Sequence, residues 1–439
     1  MGAANLIASE SLRMLCPTER TPSTLAAPMG SASVRSTQED PEFELLLRCA
    51  RSDHIGAEGP RAFRSQKRPF DWGRFLAMAD RNGMAPLAFH VLDSGGGEQL
   101  PPATRELLHD YFRVNELRSR MLTGELLRVL GALESRGIRA IAIKGPLLAM
   151  YAYGHAALRE FVDLDIVVRR ADVAGARQVL EKLGYCRDIK AQGPHHELAH
   201  IRAWNEDEWV SADGLVYIDL HWRLSPARLP FRLEPELFWP LLETAWLEGR
   251  PVRTLSREVL LVYLCMHGSK DRWRRLIWLC DVDRTLRRHG TLDWGAVLSL
   301  ATTARCQRAL ALGLLLARTL LQAPVPDPPP TAALEPGLAR SAGRIRGLLA
   351  VGEPPASFLH AWLNVRGYHI ESLDGFGDRL WYVVRTLLTP TLSDWERFRL
   401  PDALYPLYYL LRPMRLAARG GKLIWKLGMG GGVRSTSRG

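Results

Sequence analysis

Leu117, Met121, Leu122, Leu126, Val129, Leu130 and Leu133 recur at intervals of three and four residues, the spacing that lines one face of a helix, and Gly137 follows as a stop. Shorter apolar runs come next. Ile138 to Ile143 reads as a strand, broken by Lys144-Gly145-Pro146, and Pro146 suits the first position of a helix through Tyr153. Phe161 to Val168 reads as a second strand, and Asp172 is placed to cap a helix ending at Gly184. Leu215 to Leu224 reads as a further strand, so 111–225 is expected to form an α/β core. Residues 41–110 carry helical patterning, with Phe70-Asp71-Trp72 opening a run that ends near Asn82-Gly83. Residues 226–330 read as helical: Ser256 is placed to cap Val259 through Met266, and Trp273 to Leu286 keeps helical spacing. The prolines between 324 and 330 mark a linker or hard turn. Residues 331–425 read as further helices, 426–439 as a basic Gly-rich tail and 1–40 as a disordered leader.

Composition narrows the class. The 439 residues are 47% hydrophobic and 24% charged, values of a soluble globular protein, which excludes a disordered chain, a collagen-like fibre and a disulfide-stapled miniprotein. At about 150 residues per domain the length suggests about three domain-sized units. The net charge of +11 is concentrated: residues 412–439 hold seven Lys or Arg and no acid. A nearly balanced body argues against nucleic acid as a partner. Leu404 to Leu411 is apolar and aromatic with basic residues after it, as in helices that make peripheral membrane contact; a packed helix with a solvated tail is the simpler reading. Six widely spaced cysteines without C-x-x-C, and no secretory apolar region, predict free thiols and a cytoplasmic setting. Ala309 to Ala317 is too short for a membrane span, which needs about 20 apolar residues.

The chemistry concentrates around Asp163-Leu164-Asp165. On a strand the two carboxylates share a face and repel unless a cation lies between them; Mg²⁺ suits such a pair together with substrate phosphates. Asp219, on the polar face of another strand with Tyr217 and His221, is placed to complete a two-metal site. The plainer alternative is a pair of surface aspartates at a strand mouth. Asp281-Val282-Asp283 serves as a control, since residues two apart on a helix diverge by about 200°. Asp281 then suits an internal salt bridge or cap.

Gly145 permits close backbone approach to a ligand, and Lys144 adds a cation, although an ordinary turn gives the same pattern. Arg159 is placed to reach a triphosphate or to be solvated. His196-Glu197-Leu198-Ala199-His200 matches the zinc peptidase pattern, but it falls in loop or strand territory, and Glu206 and Glu208 sit too near, in a polar turn, to supply a third ligand. His267 and Lys270 near a helix end are expected in core or surface roles. No P-loop and no G-x-G-x-x-G between strand and helix is present.

Taken in order, Ile143-Lys144-Gly145, Tyr151, Arg159, Asp163 to Val168, Gly184-Tyr185 and Ile218-Asp219-Leu220-His221-Trp222-Arg223 resemble the uncharacterised nucleotidyltransferase family of the polymerase β-type superfamily. Asp71-Trp72, Ala85-Pro86-Leu87, His267, Lys270, Trp273, Leu276, Asp281 and Leu411-Arg412-Pro413 agree, so the resemblance covers roughly 43–420. It implies an α+β fold, with a small mixed β-sheet flanked by N-terminal and C-terminal helical regions. It implies Asp163, Asp165 and Asp219 as catalytic and metal-binding residues for Mg²⁺ or Mn²⁺, and Lys144, Gly145 and Arg159 as nucleotide-binding. The implied reaction moves a nucleoside monophosphate from NTP to an acceptor hydroxyl of a small molecule, sugar or peptide, as in polysaccharide or peptide natural-product biosynthesis. Pro146 stands where the superfamily usually has serine, and it offers neither hydroxyl nor N–H. The alternatives are an inactive nucleotide-binding or scaffold protein of the same fold and, third, a zinc peptidase.

Overall fold

The computed structural model describes residues 40–51, 70–94, 100–188, 193–288, 292–353 and 358–429. The leader expected over 1–40 lies outside these residues except for Asp40, as does the end of the basic tail. The described chain forms two compact units. The larger takes residues to 188, then 206–224 and 231–373; the smaller takes 193–205, 225–230 and 374–429.

In the larger unit, helices α1 (Pro41–Arg51), α2 (Trp72–Arg81), α3 (Ala85–Ser94) and α4 (Pro102–Glu134) come first. Asp71 caps α2 by accepting from the Arg74 N–H at 2.9 Å, and its own N–H donates to Glu42 at 2.8 Å. Helix α4 buries Leu108, Leu122, Leu126, Val129 and Leu133, while Leu117 of the expected stripe is exposed. Then come β1 (Ala140–Ala142), a short helix α5 (Gly145–Leu148) that runs into a π turn to Tyr153, β2 (Asp163–Val168), α6 (Val173–Lys182) and β3 (Tyr185–Arg187). After a helix α7 (Pro194–Ala203), which belongs to the smaller unit, the sheet resumes with β4 (Glu206–Ser211) and β5 (Tyr217–His221).

The five strands run in the order β1-β2-β5-β4-β3. Only β2 and β5 are parallel, so the sheet is mixed. Alternation buries Leu164 and Ile166 of β2 and Ile218 and Leu220 of β5 completely, leaving the acids of both strands on the other face. The fold is therefore mixed α+β, with helices flanking a small sheet.

Three local expectations change. Glu206 to Ser211 is a strand rather than a turn: Asp207 and Trp209 are buried on one face while Glu206 and Glu208 take the other, so an acidic run hides a period of two. Asp207 is held at 2.7 Å by both Arg177 and Arg187. The stretch read as helical after 226 contains α8 (Pro235–Phe238) and then an antiparallel hairpin, β6 (Leu242–Leu247) and β7 (Arg250–Leu255), before α9 (Arg257–Lys270). The H-E-x-x-H segment is helical, with Pro194 in the first turn of α7.

Helices α10 (Leu276–Arg288), α11 (Trp294–Thr303), α12 (Gln307–Leu321), α13 (Ala339–Val351) and α14 (Phe358–Ser372) complete the larger unit. Trp273 is buried so tightly beside α9 that a Cβ on Gly268 would lie 2.5 Å from its ring.

The smaller unit joins α7 to α15 (Phe376–Leu388), α16 (Leu392–Phe398) and α17 (Tyr408–Met429). Ala199, Trp395, Tyr405 and Tyr408 form its buried cluster. His196 stands edge-on to all three of these aromatic rings, and its Nδ1 lies 2.7 Å from Asp402. No helix among the described residues is long and apolar enough to cross a membrane.

Candidate active site

The sheet register assembles the acids. Parallel pairing sets Asp165 directly opposite Asp219, with Asp163 opposite Tyr217 and Val167 opposite His221. On the other side of β5, antiparallel pairing sets Glu208 opposite Asp219 and Glu206 opposite His221. One face thus carries Asp163, Asp165, Asp219, His221, Glu206 and Glu208 across three neighbouring strands.

His221 links this face together. Its Nε2 lies 3.0 Å from Asp165 Oδ1 and its Nδ1 2.9 Å from Glu206 Oε2. Burial disfavours its charge, but Glu206 and Asp165 outweigh burial and raise its pKa to about 10. Glu206 is pressed upward by burial and pulled further down by His221, to about 2. Lys144, at the end of the first strand–turn, reaches Asp165 Oδ1 at 2.9 Å. Burial opposes its charge too, and Asp165, Tyr263 and Asp163 more than offset it. Asp165 is correspondingly held well below the usual carboxylate range: Lys144 and His221 overcome its burial.

Asp163 and Asp219 behave oppositely. Burial and the neighbouring acids push both carboxyls up, Asp219 strongly. The face therefore carries more acids than its cations can keep ionised. Among the described residues, ligand atoms of Asp165, Asp219 and His221 lie within 4.8 Å of one another, a spacing that can hold a metal ion. Helix α9 adds Tyr263, in hydrogen-bonding reach of Lys144, and His267, whose pKa burial, Lys144 and Lys270 hold well below normal, keeping the ring neutral.

Gly145 adopts φ of +58°, and a Cβ there would stand 3.4 Å from the Asp163 carbonyl oxygen, so this turn needs glycine next to β2. Arg159 is not the open cation expected to reach a triphosphate. It is buried and bidentate with Asp281, at 2.8 and 2.9 Å, and the Tyr153 hydroxyl donates to the same carboxylate at 2.8 Å. Asp283 points elsewhere, to Arg287 at 2.9 Å, as helical divergence requires. His196 and His200 do share a helix, but among the described residues no cluster of three metal ligands contains either.

Glu206 and Tyr263 escaped sequence reasoning as site residues, while His267, weighed as facing the site, was given a core or surface role. His221 was within reach of it, two residues after Asp219 on a strand. Glu206 required recognising β4, and Tyr263 required the packing of α9 on the sheet.

The sequence model of the "Uncharacterised nucleotidyltransferase" family matches residues 68–322, more than half of the chain. The chain belongs to this family. The matched stretch contains every strand of the sheet and the whole acidic face. A solved structure titled as an antigenic nucleotidyltransferase-like protein from Paracoccidioides brasiliensis is 13% identical, covers 51% of this chain and 91% of its own, and has a TM-score of 0.25. No curated protein matches the chain.

Proposed function

We propose that this family member moves a nucleoside monophosphate from an NTP to an acceptor hydroxyl, releasing pyrophosphate, with Asp163, Asp165 and Asp219 holding Mg²⁺ or Mn²⁺. The observation that carries the reading is the strand register that sets Asp165 beside Asp219 on a face with more acids than its cations can keep ionised. The carboxylates Asp165 and Asp219, with ligand atoms within 4.8 Å of each other and Asp163 on the same face, are donors suited to a hard divalent cation. Such a cation, when bound, supplies charge neutralisation for an in-line phosphoryl transfer.

The protein's own groups do the rest. Asp219, set beside Asp165 by the parallel register, takes the proton of the attacking hydroxyl. His221, held by Glu206, fixes the rotamer of Asp165. Lys144 and the Gly145 turn receive the triphosphate. Arg159, clamped by Asp281, acts as a fixed positive charge near Asp165 rather than as a direct contact. The acceptor is a hydroxyl of a small molecule, sugar or peptide.

The test is incubation with α-labelled NTPs, Mg²⁺ or Mn²⁺, and a panel of sugars, peptides and small alcohols. Metal-dependent label transfer with pyrophosphate release is expected. Transfer that survives Asp163→Ala combined with Asp165→Ala overturns the assignment. One observation favours a second reading, a non-catalytic nucleotide binder: Lys144 already occupies Asp165, and Pro146 offers no N–H. NTP binding that is indifferent to metal, without turnover, would select it.

A further inference from the structure

The smaller unit is built with its polarity reversed. Helix α15 buries Asp378, Tyr382 and Thr386, spaced four apart, and turns Phe376, Leu380, Trp381, Val384 and Leu388 outward. Phe376 is 80% exposed. Helix α17 repeats the arrangement: it buries Arg412 and Arg415 and exposes Leu410 and Met414, the latter at 67%.

The inward charged groups pair with one another. Asp394, fully buried, receives Arg412 and Arg415 at 2.8 Å each; Arg412 also donates to the Thr386 carbonyl, and Arg415 to the Ser393 carbonyl. A water-facing helix orders its faces the other way round. An apolar exterior over a hydrogen-bonded polar interior is stable where the exterior meets a non-aqueous phase.

Charge says which phase. From residue 403 to the end the sequence contains Arg412, Arg415, Arg419, Lys422, Lys426, Arg434 and Arg438 and no acid. Two of these are spent on Asp394, which leaves five basic residues beyond 415 with no acid among them. At the edge of the apolar face the Arg385 guanidinium lies 5.1 Å from the centre of the Trp381 ring, a cation–aromatic pair suited to the headgroup layer. No helix among the described residues can span a bilayer, so an apolar face joined to a basic terminus fits the interfacial mode.

We propose that the outward face of α15 and α17 docks this protein peripherally on an anionic lipid bilayer, with the apolar side chains entering the acyl boundary and the basic C-terminus held by acidic headgroups. The inference is independent of the nucleotidyl-transfer reading.

The test is flotation of the full chain with phosphatidylcholine vesicles, with and without about a third phosphatidylglycerol, at low and high salt. Partition onto the anionic vesicles is expected, falling with salt. Trp381→Glu with Leu388→Glu should lower the partition coefficient about tenfold or more, since a charge then replaces each buried apolar group. Lys422→Gln with Lys426→Gln should lower it about fivefold per neutralised charge, on anionic vesicles only. Circular dichroism confirms that each variant is folded. Should the apolar-face variant not fold, the salt response of the unaltered protein still decides. Failure of the unaltered protein to float, or equal binding to neutral vesicles, overturns the proposal. A concentration-dependent dimer by light scattering, abolished by Trp381→Glu and accompanied by no flotation, overturns it in favour of a second copy of the chain.

Discussion

Two buried charge clusters in this protein resolve their electrostatics in opposite ways. On the sheet face of the larger unit, Asp163, Asp165, Asp219 and Glu206 gather around Lys144 and His221, and two carboxyls are driven upward. In the smaller unit, Asp394 meets Arg412 and Arg415, caps α16 with Thr391, and has its carboxyl lowered. The first cluster stores repulsion that a divalent cation would relieve; the second is closed on itself. Imbalance, rather than burial or charge alone, separates a site awaiting a ligand from a structural brace.

The largest test of this contrast is Asp165→Asn or Asp219→Asn. Either should cut label transfer by about 10²–10³-fold, the rate equivalent of several kcal/mol of lost metal stabilisation, and weaken Mn²⁺ binding in calorimetry. Asp219→Asn should nevertheless leave the metal-free protein as stable as before, or more so, in denaturant unfolding. A clear loss of stability would show that the repulsion drawn here is not real.

Asp394→Ala should do the reverse. It strands two buried guanidinium groups and should cost about 3–5 kcal/mol, read from the unfolding midpoint, while metal affinity on the sheet face stays unchanged. Asp281→Ala, which strands Arg159, belongs with it in direction; unaltered stability there would mean that Arg159 finds water or another partner.

The pH response gives a smaller effect of opposite signs. The folded pKa of Asp219 is raised, so the metal-free protein is most favoured below the ordinary value of about 4 and is progressively penalised as pH rises through the raised folded value. Asp163, Glu206 and His221 face the same carboxyl and set its size. Asp394 has a lowered folded pKa, because Thr391 and Arg412 outweigh burial; its contribution is complete above about 4 and fades as pH falls through the folded value. Acidification from neutrality should first steady the metal-free protein, and Asp219→Asn should remove that gain. Acidification below about 4 should then loosen the Asp394 brace, and Asp394→Asn should remove that later loss. The smallest expected change is Thr391→Ala, which deletes one half of the α16 capping box and should cost about 1 kcal/mol by thermal melting.

Much of this was legible in the chain. The alternation of Asp163 to Val168 placed both acids on one face, and the β5 alternation put Asp219 with His221, because in strands a period of two is direct evidence of orientation. Helical spacing correctly separated Asp281 from Asp283. What escaped had specific causes. The run Glu206-Asp207-Glu208 looks like a solvated turn, since composition conceals that Asp207 points inward to two arginines. The hairpin after residue 241 buries only Leu247 of β6, and the burial of β7 at Val252, Thr254 and Leu255 breaks strict alternation. Arg159 looked like an available cation because its partner lies 122 residues away. The helix at Pro194 had its start signal, but its burial depends on aromatic residues some 200 positions later, which no local window contains.

That last separation constrains how the chain can be shortened. The match to the family's sequence model ends at residue 322, yet α7 lies inside the matched stretch and rests on Trp395, Tyr405 and Tyr408. A chain terminated at 322 would keep His196 and Ala199 while discarding the Trp395, Tyr405 and Tyr408 rings that pack with them. Removing the C-terminal portion therefore uncovers an apolar and histidine-bearing face of residues 193–205, so a shortened chain needs both segments altered together.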